Sequence, residues 1–287
     1  MTAAPAFDDW LLPDWPAPPG VHALCTTRAG GVSVAPWDSL NLGDHVGDAA
    51  YAVHENRTRL QAALRARTPG ARAVFLRQVH GSDVLALGAG TAQGLAADAS
   101  LTAAPGVACT IMVADCLPVL FTDRHGSVVA AAHAGWRGLA GTVRAGGCPQ
   151  GVLESVFAQF AQQVVRAGGA ADQGQVAGRT LAWLGPCIGP DAFEVGEEVR
   201  AALCQGRPEA ARHFRPGQAP GKWLADLAGL ARQRLQSLGI TAVYGNDGSA
   251  RWCTVGNPSA FFSHRRDAAR LGSSGRFAAC IWRDGAA

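Results

Sequence analysis

Short runs of almost wholly apolar residues recur in the middle of the chain and predict buried β-strands. Val107–Val113 and residues 117–122 contain few polar positions, and residues 127–132 form a third such run after a turn at 123–126. Strands that are apolar on both sides are typical of a sheet covered on both faces. These three strands therefore predict a sheet inside the protein.

Helical periodicity predicts helices around this sheet. Val53, Leu60 and Leu64 recur at helical spacing in a segment predicted to be a helix from near Asp48 to about Leu64. Further helices are predicted at about residues 152–167, 196–203 and 224–238. Further strands are predicted at residues 22–27, 73–78, 83–86 and 181–184 and from Val243 onward. Because strands and helices are interleaved without a regular βαβ alternation, the predicted fold class is α+β, a single layered domain with a mixed sheet and flanking helices.

Proline, glycine and charge indicate the irregular segments. Residues 1–20 contain five prolines beside two tryptophans and are predicted to form an extended N-terminal arm. Residues 21–287 are predicted to form one catalytic domain, since apolar runs continue through them without a change in composition. Three segments rich in glycine or arginine are predicted to be loops, at residues 140–151, 167–180 and 261–267 (F-F-S-H-R-R-D), the last followed by a closing strand.

Composition excludes several classes of protein. The 287 residues carry 25 basic and 22 acidic side chains, a formal net charge of +3, and the arginines are scattered along the chain. We therefore expect no nucleic-acid partner. No apolar stretch is long enough for a membrane span and no secretory signal is present, so we expect no membrane association and a cytoplasmic location. The eight cysteines are widely spaced, which indicates reduced thiols rather than a disulfide framework.

One cysteine and two histidines are candidate metal ligands. His80 lies in R-Q-V-H-G, Cys116 in V-A-D-C-L-P-V-L and His133 in H-A-G-W-R-G, each at or just past the end of a predicted strand. Three such ligands leave a zinc ion one open position for water or substrate, as in catalytic rather than structural sites. From the residues alone, a turn histidine and a small buried cysteine explain these positions equally well.

Several polar residues are candidates for substrate binding or for support of the site. Arg137 lies between glycines, where its planar guanidinium is suited to bind a phosphate or carboxylate. Arg28 and Arg265 lie in similar glycine-rich or aromatic segments and suit an anionic or nucleoside-like ligand. Asp115 either binds a loop backbone or orients a metal ligand, and the first role is favoured.

A set of short motifs also resembles a known family. In chain order they are T-T-R-A-G-G-V-S, S-L-N-L-G, V-x-x-N-R, Q-V-H-G, A-D-C-L-P-V-L, A-A-H-A-G-W-R-G, G-P-C-I-G, F-E-V-G-E-E-V and F-F-S-H-R-R-D with a later G-R. Together they resemble the YfiH-type family, whose members are called laccase-domain proteins, polyphenol oxidases or purine nucleoside phosphorylases. The resemblance runs from about residue 22 to residue 283, which covers nearly the whole chain.

The resemblance implies a function and a set of site residues. It implies a zinc site at His80, Cys116 and His133, which are then also the catalytic residues, and it makes Asn41 of S-L-N-L-G a further candidate for substrate binding. The implied reactions are phosphorolysis of adenosine, inosine, guanosine and methylthioadenosine, together with deamination of adenosine. The implied fold is similar to that of a group of cysteine hydrolases. This chain departs from the family at His264, where Tyr is frequent, and in a short insertion at 268–273.

Other functions stay open at this point. A cysteine hydrolase or deamidase would use Cys116 as nucleophile and His133 as base, and peptidoglycan precursors are one class of substrate that the resemblance suggests. A copper polyphenol oxidase is less favoured, because coupled copper sites need more histidines than this sequence groups together. The expected partners are purine nucleosides and phosphate, and the protein is expected to be a monomer or homodimer.

Overall fold

The computed structural model describes residues 9–142, 149–168 and 170–285. The strands are β1 (Val21–Cys25), β2 (Arg72–Phe75), β3 (Val84–Ala86), β4 (Ala99–Thr102), β5 (Val107–Val113), β6 (Leu117–Asp123), β7 (Val129–Ala134), β8 (Thr180–Leu184), β9 (Glu194–Gly196), β10 (Phe214–Pro216), β11 (Lys222–Ala225), β12 (Ala242–Gly245) and β13 (Phe277–Arg283). The α-helices are α1 (Ala50–Arg67), α2 (Trp136–Ala140), α3 (Val152–Arg166), α4 (Gln173–Arg179), α5 (Glu197–Cys204), α6 (Leu227–Ser237) and α7 (His264–Leu271), and short 3-10 helices lie at Pro208–His213 and Ala250–Trp252.

The described strands form three sheets. A four-stranded sheet has the order β1-β13-β5-β2, and a six-stranded sheet has the order β12-β8-β6-β7-β4-β3. Both are mixed, since β2 pairs parallel with β5 and β3 parallel with β4, whereas β13–β5 and β6–β7 are antiparallel. A small antiparallel sheet of β10, β11 and β9 lies beside them.

The four-stranded and six-stranded sheets pack face to face and are covered by helices on their outer sides. Residues alternate along β13: Phe277 and Ala279 lie in the core between the sheets, whereas Ala278 and Cys280 lie in a second core with Leu60 of α1. A third core joins the opposite face of the six-stranded sheet to α3, α5 and α6. This layering explains why β5, β6 and β7 are buried along their whole length.

The structure confirms the α+β class with mixed sheets, and it divides the strands among three sheets rather than one. The predicted helices at 152–167, 196–203 and 224–238 correspond to α3, α5 and α6, and the helix expected from Asp48 is α1. No helix among the described residues has the length and apolar character needed to cross a membrane.

Two of the predicted loops are wrong in part. The arginine-rich segment at 261–267 enters α7, because Ser263 caps the helix by accepting a hydrogen bond from the backbone N–H of Arg266. The segment at 167–180 contains α4, which Asp172 caps in the same way by accepting from Gln175. Both helices are short and polar, so they lack the apolar periodicity by which the longer helices were recognised. Part of the predicted loop at 140–151 lies outside the described residues.

The N-terminal segment that the structure describes lies along the four-stranded sheet. Leu11 forms an antiparallel bridge with Cys25, and Leu11 and Trp15 pack against the core between the sheets. The division of the chain into an arm at 1–20 and a catalytic domain at 21–287 stays a prediction.

Candidate metal centre

The three candidate ligands meet where the chain passes from one sheet to the other. β5 of the four-stranded sheet is followed, after Ala114, Asp115 and Cys116, by β6 of the six-stranded sheet. His133 lies near the end of β7, opposite Pro118 of β6. His80 lies in the connection between β2 and β3. Cys116 and His133 therefore lie at strand ends, and His80 lies in a loop between two strands.

The ligand atoms of His80, Cys116 and His133 all lie within 4.8 Å of one another. The two imidazole rings meet edge to face, with 4.8 Å between their centroids. His133 is buried, Cys116 is half-buried and His80 is exposed, so the group is open to solvent on one side. Among the residues that the structure describes, this is the one group of three or more His, Cys, Asp or Glu side chains with ligand atoms this close.

A glycine makes room for this group. A Cβ atom placed on Gly135 would lie 2.8 Å from the Cys116 Sγ and 3.4 Å from the His80 Cδ2, closer than side chains normally approach at the sulfur. The backbone of Gly135 is extended, with φ of −74° and ψ of 168°, so its conformation does not itself require glycine. The requirement is steric, because the backbone approaches the ligand atoms closely.

A fully buried carboxylate contacts both histidines. The Asp98 Oδ1 lies 2.8 Å from the His133 Nδ1 and accepts a hydrogen bond from the His80 backbone N–H at 2.9 Å. The Asp98 Oδ2 accepts from the backbone N–H groups of Gly81 at 2.7 Å and Val79 at 3.1 Å. Asp98 is an isolated acidic residue just before β4, and no pattern in the sequence marks it as part of the site.

Asp115 has a supporting role through a loop backbone, as favoured from the sequence. Its backbone is left-handed, with φ of 89°, a conformation that Asp adopts more readily than most residues. Its carboxylate accepts hydrogen bonds from the Thr254 hydroxyl at 2.6 Å and from the backbone N–H of Arg265 at 2.6 Å. Asp115 therefore joins the strand connection that carries Cys116 to the first turn of α7.

Cys116 and His133 form a coupled pair in the absence of a metal. Burial opposes ionisation of the thiol, but the positive charge of His133 and hydrogen bonds from His133 and His80 outweigh it and lower the pKa of Cys116 to about 6. Burial likewise opposes protonation of His133, but the Cys116 thiolate and the Asp98 carboxylate raise the pKa of His133 to about 9. Cys116 and His133 therefore stabilise each other's charged forms, a thiolate beside an imidazolium.

The three ligands line a cavity of about 420 Å³ that is rich in cationic and imidazole side chains. Its histidine and arginine lining residues are His45, His80, His133, His264, Arg137, Arg265 and Arg276. Trp136 and Phe193 provide aromatic surface in the same cavity. Such a lining suits a ligand with an anionic part and a flat ring system.

The arginines predicted to bind substrate line two different cavities. Arg137 and Arg265 line the cavity, where their guanidinium groups stand over the rings of Trp136 at 4.4 Å and Phe193 at 5.8 Å. Arg28 lines a separate cavity, and its guanidinium forms an ion pair with Asp38 at 3.1 Å.

Asn41 is buried beneath the cavity and does not line it. Its amide oxygen accepts hydrogen bonds from the backbone N–H groups of Gly43 and Arg276, both at 2.9 Å. The amide nitrogen donates to Asp48 at 2.8 Å. Asn41 therefore holds the backbone of Arg276, a cavity residue that the sequence analysis placed in a family motif without giving it a role. The assignment of Arg28 and Asn41 to substrate binding stays a prediction.

The donor set fits a zinc ion. One thiol and two imidazoles are a ligand type and number typical of zinc sites with an open position. The same donors occur with a long axial Met in copper electron-transfer sites. Met112 lines the same cavity, and its sulfur accepts a weak hydrogen bond from the Arg57 guanidinium at 3.9 Å while its side chain packs in the core against α1.

Comparison with known proteins gives the family. Residues 22–284 match the family described as multi-copper polyphenol oxidoreductase laccase. A purine nucleoside phosphorylase of Pseudomonas aeruginosa is 49% identical over 273 residues, which cover 95% of this chain and 98% of that protein. Purine nucleoside phosphorylase YfiH of Escherichia coli is 46% identical over 272 residues, with 95% and 98% covered. The chain therefore belongs to the YfiH-type laccase-domain family, as its motifs indicated.

Solved structures share the fold. The crystal structure of a Neisseria meningitidis protein has a TM-score of 0.77 and 43% identity, and the match covers 96% of this chain and all (100%) of that one. The crystal structure of YfiH from Bacillus licheniformis has a TM-score of 0.76 and 28% identity, with 92% and 93% covered. The packing of mixed sheets described above is thus shared with these proteins.

The close approach of Gly135 generates a prediction about metal binding. In Gly135→Ala, the new methyl group must displace the Cys116 sulfur, so we expect zinc affinity to fall at least about tenfold while the fold is kept. Competition with a chromogenic chelator measures the affinity, and circular dichroism checks the fold. Gly178→Ala, in α4 where a Cβ meets no atom within 4 Å, is the control. Unchanged zinc affinity in Gly135→Ala would show that the metal does not bind at this sulfur.

Proposed function

We propose that this protein is a purine nucleoside phosphorylase that uses a zinc ion held by His80, Cys116 and His133. The observation that carries the proposal is the position of this ligand set in the wall of a cavity that also presents arginines and aromatic rings. The names of relatives at 46–49% identity over nearly the whole chain support the same reaction. The proposed substrates are adenosine, inosine, guanosine and methylthioadenosine, and the proposal includes adenosine deamination.

Phosphorolysis requires the nucleoside and the phosphate to be held next to each other in a fixed orientation. In phosphorolysis, a phosphate oxygen attacks the anomeric carbon of the ribose, the bond from this carbon to the purine nitrogen breaks, and the purine leaves with the electron pair and gains a proton. Zinc bound to the three ligands supplies a Lewis acid next to the substrate. The protein residues bind and orient the two reactants, which lowers the entropic part of the barrier.

The chemistry of the cavity side chains indicates which of them would bind the phosphate and which the purine. Arg137 and Arg265 carry exposed guanidinium groups suited to a phosphate dianion. Arg276 is half-buried, and its pKa is lowered by burial while the nearby Cys116 and Asp115 favour its charged form. Trp136 and Phe193 offer flat surfaces for the purine. In this assignment, the anion lies among the arginines and the base lies against the rings.

The central test measures metal and turnover on one sample. We expect about one zinc per chain by elemental analysis, and release of adenine and ribose 1-phosphate from adenosine plus phosphate, followed by chromatography. Cys116→Ala should lose both the zinc and the reaction, since two imidazoles alone bind zinc weakly. Cys204→Ala, a half-buried cysteine away from the cavity, is the matched control. Purified zinc protein that forms neither adenine nor inosine from adenosine and phosphate would contradict the proposal.

The assignment of the arginines gives a separate prediction. Removal of a charge-assisted hydrogen bond to phosphate costs about 1.5–3 kcal/mol, so Arg137→Ala or Arg265→Ala should raise the KM for phosphate about tenfold or more. The KM for the nucleoside should change less. Arg212→Ala, which removes an exposed arginine outside this cavity, should leave both constants unchanged. An equal rise in the KM for phosphate and the KM for the nucleoside would show that these arginines do not bind phosphate specifically.

A cysteine hydrolase or deamidase is the second candidate function. The lowered pKa of Cys116 and its hydrogen bond with His133 are features of an activated thiol nucleophile with an adjacent base. In this case, Cys116 would attack a carbonyl or amidine carbon, and His133 would give a proton to the leaving group. A metal ligand and a nucleophile place the same demands on this thiol, so its reactivity must be measured with and without zinc.

The pH dependence of Cys116 alkylation, measured with and without zinc, distinguishes a metal ligand from a nucleophile. Because the thiolate is the reactive form, labelling of metal-free protein by iodoacetamide should rise through the Cys116 pKa of about 6 and level off above it. Cys204, whose pKa is raised by burial, should label only at high pH and is an internal control in the same mass spectrum. Zinc should protect Cys116 if it is a ligand. Full hydrolytic activity in metal-free protein, abolished by alkylation of Cys116, would favour the nucleophile.

A further inference from the structure

We infer that Asp98 is the positioning residue for both histidines of the site: its one carboxylate fixes the loop that carries His80 and sets the ring orientation and tautomer of His133. This inference rests on the metal site of the proposed function, although not on the reaction assigned to it. The observation behind it is the junction of four hydrogen bonds at one fully buried side chain, two of them to groups of the ligand residues themselves.

The His80 loop depends on this carboxylate for its shape. Three successive backbone N–H groups, of Val79, His80 and Gly81, all point to the two oxygens of Asp98. His80 itself is left-handed, with φ of 61°, a conformation that costs free energy for a residue with a side chain. Three hydrogen bonds to a charged acceptor compensate for this cost, and they hold an exposed imidazole in one place.

His133 is held through its ring and its backbone. Its Nδ1 lies 2.8 Å from the Asp98 Oδ1, and its backbone N–H donates to the Asp98 carbonyl at 2.7 Å. A carboxylate accepts only, so the proton of the neutral ring must lie on Nδ1. The lone pair is then on Nε2, the remaining ring nitrogen with which His133 can reach a metal beside Cys116.

An amide cannot replace the carboxylate without loss. Asp98 accepts four hydrogen bonds, two at each oxygen. Asparagine has one accepting oxygen and one donating NH₂ group, so two of the four donors would face another donor. If the NH₂ group faces the Oδ1 position, His133 loses the acceptor for its Nδ1 proton. If it faces the Oδ2 position, Gly81 and Val79 lose theirs and the His80 loop is released.

The chain offers a matched control for a purely structural role. Asp123 is also buried, and it accepts hydrogen bonds from the backbone N–H groups of His125, Ser127 and Val128. It therefore supports a turn as Asp98 supports the His80 loop, but none of these hydrogen bonds involves His80, Cys116 or His133. An effect found with Asp98 and not with Asp123 belongs to the site rather than to the loss of a buried carboxylate.

The experiment compares zinc affinity in Asp98→Asn and Asp123→Asn by competition with a chromogenic chelator. Loss of a carboxylate that orients a metal-bound histidine typically weakens metal binding about 10–100-fold, and we expect this for Asp98→Asn, with Asp123→Asn within about twofold of the native protein. If the native protein binds zinc and Asp98→Asn binds it equally well, the inference is wrong while the proposed function is untouched. If the native protein binds no zinc, both fall. Zinc-loaded protein without nucleoside turnover contradicts the proposed function only.

A second measurement needs no variant and so does not depend on the folding of Asp98→Asn. In native zinc-loaded protein with ¹⁵N-labelled histidine, long-range proton–nitrogen spectra report which ring nitrogen of His133 carries the proton. We expect the proton on Nδ1 and the metal on Nε2. The opposite assignment would overturn the inference, since Asp98 would then not set the tautomer.

Discussion

Face-to-face packing of the two large sheets determines the geometry of the whole site. The chain leaves the four-stranded sheet at the end of β5 and enters the six-stranded sheet at Leu117, and Cys116 lies in the three-residue passage between them. Because both strands are buried along their length, neither can shift to accommodate a change in the passage. The left-handed backbone of Asp115 and the close approach of Gly135 are local consequences of this constraint. They place the thiol within reach of two imidazoles.

The distribution of charged side chains is a second determinant of what the site can bind. The pair of Cys116 and His133, with the Asp98 carboxylate behind it, lies at the wall of a cavity that contains three arginines. A divalent cation placed among these ligands would displace the proton of His133 and balance the thiolate and the carboxylate. The arginines would then be available for an anionic reactant, so a metal and a phosphate would not compete for the same side chains.

The family name and the names of the relatives suggest different chemistry, and the site geometry bears on the choice. A multicopper oxidase requires several copper ions, whereas the described residues bring together one group of three His and Cys side chains with closely spaced ligand atoms. A cavity with arginines and aromatic rings next to that group fits a nucleoside and phosphate. The two names thus describe one fold, and the side chains around the metal ligands decide which reaction it supports.

The sequence by itself indicated the main elements of this protein and the three candidate ligands. Apolar runs identified β5, β6 and β7, helical spacing identified α1, α3, α5 and α6, and a thiol with two imidazoles at strand ends indicated a metal. These patterns are local, since a strand buried on both faces and an amphipathic helix are each recognised from the order of apolar and polar residues within one short segment. Short polar helices such as α7 were not predicted, because a capping residue rather than an apolar face marks where they form.

Tertiary structure alone decided which polar residues lie in one cavity with the candidate ligands. Arg28 and Arg137 look alike in the sequence, yet Arg28 pairs with Asp38 in another cavity and Arg137 lies beside the ligands. Asp98 precedes a strand that periodicity did not reveal, and its carboxylate reaches His80 and His133 only because β4 pairs with β7. The physical reason is that hydrogen bonds and ion pairs of this kind join residues far apart in the chain. Their partners are set by sheet register and packing, which no local pattern of residues specifies.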